Sequence, residues 1–86
     1  MKIETFLSRC RAAARKELQK DPRLPAASVR ERAERICRAV TAYCRSLGLG
    51  EQGAAAGTAE ALEKELGLPR GEAEALAVRL VRRDAP

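Results

Sequence analysis

Three cysteines and no histidine bound the chemistry this chain could offer. A thiolate is a nucleophile or a metal ligand, and Cys10, Cys37 and Cys44 are the residues best suited to either role. Each recurs among apolar neighbours at helical spacing, where cysteine acts as a small hydrophobe. Three sulfur ligands without a fourth also leave a structural zinc site incomplete. Cys37 and Cys44 are seven residues apart, about 10 Å along a helix and too far for a direct bridge. An odd cysteine count likewise argues against a disulfide framework. Without histidine the commonest general base is missing, and Ser8, Ser46 and the other hydroxyls have no base nearby to activate them. These residues predict a protein that is not an enzyme and takes no metal, cofactor or small-molecule substrate. They also predict reduced thiols in a cytoplasmic setting.

Gly48, Gly50 and Gly53 spell a literal GxGxxG. In dinucleotide-binding folds that pattern follows a strand and opens a helix within a βαβ unit. Here it follows a helical segment, and no strand pattern precedes it. The phosphate-cradle reading is therefore set aside, and residues 50–57, rich in Gly and Ala, are expected to form a hinge.

What remains is fixed charge. The chain carries 17 Lys or Arg against 12 Asp or Glu, a net charge of +5. Residues 1–49 hold 12 cations against 5 carboxylates, or +7, and residues 50–86 hold 5 against 7, or −2. A basic half of this kind suits an anionic partner, such as a nucleic acid, an acidic protein surface or an anionic membrane. In the first helical segment Arg9, Lys16 and Lys20 fall within about 40° of one another, with only Glu17 close enough to temper them. Arg11 and Arg15 sit on the opposite flank. In the second, Glu31 stands four residues before Arg35 and Glu34 four before Arg38, the favourable order for helix-stabilising pairs. That arginine face is thus partly self-neutralised, and Arg38 with Arg45 is the portion retained as a binding candidate.

The elements that must carry these charges follow from apolar periodicity. Val29, Ala33, Ile36, Cys37, Val40, Tyr43, Cys44 and Leu47 form the most complete stripe in the chain and predict a helix from Ser28 to Leu47 as the central packing element. Ser28 with Glu31 reads as a capping box at its start, and Gly48 as a left-handed cap at its end, with Leu49 packing back. Upstream, Ile3, Phe6, Leu7, Cys10, Ala14 and Leu18 predict a helix over residues 3–20, stopped at Asp21 and Pro22. Pro22 and Pro25 stiffen the connector. Downstream, Thr58 is expected to cap a third helix, Ala59–Leu66, supported by a Glu60–Lys64 pair. A fourth runs from Pro69 to about Arg83, with Ala73, Leu76, Ala77, Leu80 and Val81 on its apolar face and Glu72, Glu74, Arg79, Arg82 and Arg83 ordered as a helix dipole favours. Asp84, Ala85 and Pro86 are expected to form a frayed tail.

Leu62, Leu66, Gly67, Leu68 and Leu76 stand where a helix-turn-helix unit needs an apolar residue, a glycine turn and apolar locks on the second helix. Ala59–Val78, about a quarter of the chain, therefore resembles the DNA-binding helix-turn-helix in outline. That resemblance implies DNA contact from the second of these helices, through Arg70 and Arg79. Two features depart from the pattern. Glu63 occupies a usually small position, and Glu72 and Glu74 would meet the phosphates; a plain helical hairpin accommodates both.

Together these observations predict a single all-α domain over residues 1–86, a small bundle of three to four helices. It would comprise a basic helix pair (1–49), a hinge (50–57) and a helical hairpin (58–86). The core is thin, since 17 residues are Ala and aromatic residues are 2% of the chain. A thin core makes a homodimer or a docked complex a natural source of added stability. No apolar run approaches the roughly 20 residues that span a bilayer, the N-terminus lacks a signal peptide's apolar core, and an Ala-rich stripe offers a membrane little to insert. The expected function is non-catalytic binding of a nucleic acid backbone, or of a nucleic-acid-bound complex, through Arg9, Arg11, Arg15, Lys16, Lys20, Arg38 and Arg45. The alternative is a regulator or phage-type inhibitor that docks the same face into an acidic groove on a partner protein.

Overall fold

The computed structural model describes residues 1–84 and is 83% helical. Four α-helices, and no strand, occur among the described residues: α1 (Ile3–Lys20), α2 (Val29–Ser46), α3 (Glu51–Leu66) and α4 (Arg70–Asp84). They pack as a small all-α bundle. Between α1 and α2, a single 3-10 turn at Leu24–Ala26 follows Pro22 and buries Leu24.

The first two helices begin and end where local chemistry directs. The Ser28 hydroxyl accepts the Glu31 amide at 3.1 Å, which caps α2. Gly48, at φ 75°, closes it in the left-handed region, its N–H bonding the Arg45 carbonyl at 2.9 Å while the Leu49 N–H bonds the Cys44 carbonyl at 3.0 Å. That pair of bonds is a Schellman motif, which satisfies carbonyls the helix would otherwise leave bare. Ala33, Ile36, Cys37, Val40 and Cys44 are buried as the stripe predicts, but Val29 and Leu47 at its two ends are exposed, as is Ile3 on α1. Of the described tail, Asp84 belongs to α4; Ala85 and Pro86 lie outside the described residues.

The third helix corrects the sequence reading. Residues 51–57 are its first two turns and not a hinge; Gly50 occupies the N-cap, and Thr58 is fully buried in mid-helix. The central element is also α3 and not α2, because α3 packs closely against α1, α2 and α4 together. Its residues Ala54, Gly57, Thr58, Ala59, Glu60, Ala61 and Leu62 are all buried. A helix covered on several sides needs no single apolar stripe, and small side chains let its neighbours approach.

Gly57 marks the closest approach. A methyl group added there would stand 2.6 Å from the Cys10 sulfur and 3.0 Å from Val40 Cγ1, so α1, α2 and α3 meet with no room for a side chain. Gly71, exposed in the first turn of α4, would meet nothing within 4 Å. The two glycines therefore respond oppositely to alanine. Gly57→Ala should destabilise the fold by about 1–2 kcal/mol, overpacking outweighing the gain in helix propensity. Gly71→Ala should be neutral or stabilise by up to about 1 kcal/mol. Urea unfolding followed by circular dichroism measures both.

Candidate functional site

The fold sorts the cations into those bound within the bundle and those left at its surface. Arg11 reaches from α1 to α3 and donates to the carboxylate of Glu60, a residue 6% exposed. Arg70 donates to the same carboxylate at 3.3 Å and to Glu63 at 2.7 Å. A buried carboxylate left unpaired would cost several kcal/mol, so these guanidinium groups belong to the packing of α1 and α4 onto α3. Arg15 makes a two-pronged contact with Glu65, at 3.1 and 3.3 Å. Arg11 is therefore a part-buried partner of α3, whereas Arg15 stays exposed and pairs with Glu65 at the surface.

The short-range pairs expected from spacing give way to longer-range ones. Arg35 turns from Glu31 to α1, bonding Glu17 at 3.1 and 3.2 Å and lying 3.7 Å from Asp21. Glu34 meets Arg83 of α4 at 3.0 Å instead of Arg38. Lys64 lies 3.7 Å from its neighbour Glu63, and Glu60 is occupied by the two arginines. Arg38 emerges without an ion-pair partner among the described residues.

On the α1–α2 flank these leftovers converge. A groove of about 370 Å³ runs between the two helices, floored by Ala13, Ala39 and Ala42 and rimmed by Lys16, Lys20 and Arg38, with Glu17 beside them. Lys20 lies 3.3 Å from Glu17, which Arg35 also holds; Lys16, like Arg38, has no ion-pair partner among the described residues. Burial disfavours the Glu17 carboxylate, but hydrogen bonds from Arg35 and Lys20 outweigh this and hold its pKa below the ordinary value. Glu17 is thus a fixed anion already shared by two cations, and the groove stays net positive. Arg9 is exposed about two helical turns along α1 from Lys16, on the same flank. Arg45 is exposed too, but lines a separate hollow with Thr41, Leu49 and Glu51. Of the seven candidate residues, three meet in one groove and one extends its α1 rim. The alanine floor escaped the sequence reading. Ala39 and Ala42, three apart and next to Arg38, were the available signal.

The α3–α4 hairpin forms about Gly67, at φ 71°, but its electrostatics differ from a DNA-reading end. Glu72 and Glu74 are exposed in the first turns of α4, and Arg70 is held by carboxylates. Among the described residues no group of His, Cys, Asp or Glu is assembled to hold a metal, and no helix is long and apolar enough to cross a membrane. The three thiols are free and buried. Burial, reinforced by the facing Cys44, pushes Cys10 up to about 12; burial also raises Cys37 and Cys44. Comparison with protein families, curated proteins and solved structures returns no match to this chain.

Two solution properties follow. At pH 8 all three thiols should react with Ellman's reagent only as fast as the bundle opens, and at once in denaturant. The stability profile should be a plateau with two falling limbs. Asp21, Glu17 and Glu63 titrate below their ordinary values of 3.8, 4.5 and 4.5, so the stability they add is present above those values and lost as pH falls through the lowered native ones. The thiols titrate above their ordinary 9.0, so their contribution is present below pH 9.0 and lost as pH rises, through about 12 for Cys10. Thermal unfolding across pH checks this, with Glu17→Gln reducing the acid limb.

Proposed function

We propose that this chain is a non-catalytic binding protein whose α1–α2 flank engages the sugar-phosphate backbone of a nucleic acid duplex. The observation that carries the reading is the convergence of Lys16, Lys20 and Arg38 from two helices on one shallow, alanine-floored groove. Small floor residues let a partner's backbone approach, and long cationic side chains at the rim can reach separate phosphates. Arg9 lengthens the row along α1. Contacts of this kind position a protein on a duplex and carry little sequence information. A duplex is preferred to a single strand because single-strand binders stack bases on free aromatic rings. The chain's one Phe and one Tyr stack on each other instead, with ring centroids 6.3 Å apart, and Phe6 is buried.

The same alanine floor supports a second reading, a regulator that docks an acidic helix of a partner protein. Close helix packing favours small residues at the contact, and arginine suits carboxylate recognition.

Titration of a labelled duplex by fluorescence anisotropy separates the two. The nucleic acid reading expects binding at low salt with a log–log salt slope of about −3 to −4, one phosphate for each of the four cations. Lys16→Glu and Arg38→Glu should each weaken binding about tenfold and flatten that slope by about one. Arg79→Glu, on α4, should leave it unchanged. Absence of binding at low salt, or equal loss in all three variants, would overturn the reading and leave the acidic partner to be sought.

A further inference from the structure

We infer that the Glu17 carboxylate is an internal competitor within the α1–α2 groove. It occupies Lys20 until a phosphate of a bound strand takes its place, and so makes the groove select a polyanion over single anions. This role rests on the duplex reading above and concerns the regulation of the same site. A surface built only to attract phosphates has no use for a carboxylate, yet Glu17 lines the groove beside Lys16, Lys20 and Arg38.

The two oxygens of that carboxylate have different holders. Oε1 accepts from Arg35 Nε at 3.2 Å and from Arg35 Nη2 at 3.1 Å, across the contact with α2. Oε2 meets Lys20 Nζ at 3.3 Å, one turn along α1. The first contact is the fixed one. The Arg35 side chain is 30% exposed and is steadied by Asp21, 3.7 Å away, and a planar guanidinium loses less freedom per bond than a lysine stem. The second contact is the exchangeable one. The Lys20 side chain is 62% exposed, and an exposed lysine–carboxylate pair contributes little to stability. A phosphate oxygen can therefore replace Oε2 on Lys20 while Arg35 keeps Glu17, and with it the α1–α2 contact, in place.

Tethering makes the competition unequal. A carboxylate held beside Lys20 acts at a high effective concentration, which a lone anion in solution does not match. A duplex strand has another way in, because Lys16 and Arg38 rim the same groove with no ion-pair partner among the described residues. Once those two cations hold phosphates, the next phosphate of the strand is tethered as well, and the handicap is removed. Lys16 and Lys20 stand one helical turn apart on α1, so one strand can pass from the first to the second. The other carboxylates nearby do not share this position. Asp21 is held by Arg23 and Arg35, and Glu34 by Arg83, while Glu31 is exposed and lines a neighbouring hollow on α2.

Anisotropy titrations of a labelled duplex at low salt, with Glu17→Gln, Lys20→Gln and the double variant beside the parent, test this. Glutamine keeps an oxygen for Arg35 but no charge for Lys20, so the fold should be retained, which circular dichroism checks. Glu17→Gln should tighten duplex binding about five- to tenfold. Lys20→Gln should cost about twofold in the parent but about tenfold beside Glu17→Gln, because only there is Lys20 free. Glu31→Gln, the same charge change outside the groove, should stay within about twofold of the parent. With inorganic phosphate as competitor at constant ionic strength, its inhibition constant should fall at least about threefold in Glu17→Gln. Unchanged or weaker duplex binding by Glu17→Gln, equal tightening by Glu31→Gln, an equal cost of Lys20→Gln in both backgrounds, or an unchanged phosphate constant would overturn the inference and leave the duplex reading standing. Absence of duplex binding by the parent and Glu17→Gln alike would overturn both.

Discussion

The contact of Gly57 with Cys10 and Val40 is the constraint on which the rest of this structure depends. It brings α1 and α2 against α3 at a separation only a residue without a side chain permits, and a core poor in large side chains closes because of it. The same approach buries the turn that follows, and with it Glu60. A carboxylate so placed needs cationic partners, and Arg11 and Arg70 supply them from two other helices. Packing at one glycine thus decides which charges become internal. The arginines of α1 that face α3 are spent on its glutamates, while Arg9, Lys16 and Lys20 on the other flank face water.

That sequence of causes explains what could be read in advance. α1 and α2 each lie with one side toward the core, so their apolar residues recur at helical spacing and their ends carry Ser28, Pro22 and Gly48. Their limits and their buried thiols were therefore legible. α3 was not, because periodicity reports one-sided burial, and a helix enclosed by three neighbours with Gly and Ala on its contacts loses the contrast that makes a stripe. The composition that reads as a flexible linker is, at Gly57, the condition for tight packing. Thr58 shows the same failure in reverse: a residue suited to a cap is enclosed in mid-helix, and its hydroxyl has no hydrogen-bond partner among the described residues.

Charge was legible to the extent that it was local. Lys16 and Lys20 share the exposed flank of α1 that helical angles assign them, but their meeting with Arg38 across the α1–α2 groove, and the separation of Arg38 from Arg45, depend on how the helices pack. Arg11 and Arg15 could not be sorted, because Glu60 and Glu65 lie 49 and 50 positions away. Arg35 and Glu34 illustrate the competition. Each has a favourable partner one helical turn away worth a few tenths of a kcal/mol, and each turns instead to another helix. Arg35 there meets Glu17, a carboxylate already partly withdrawn from water.

The division of the surface has a consequence for recognition. The net charge of +5 and the split between halves suggest a broadly basic protein, yet α3 pairs Arg11 and Arg15 of the basic half through Glu60 and Glu65. Of the candidate cations, Arg9, Lys16, Lys20 and Arg38 rim or adjoin the α1–α2 flank and Arg45 lies in a separate hollow, while the exposed apolar residues concentrate at the end where α1 starts. Cations set around small residues attract a polyanion without demanding a shape.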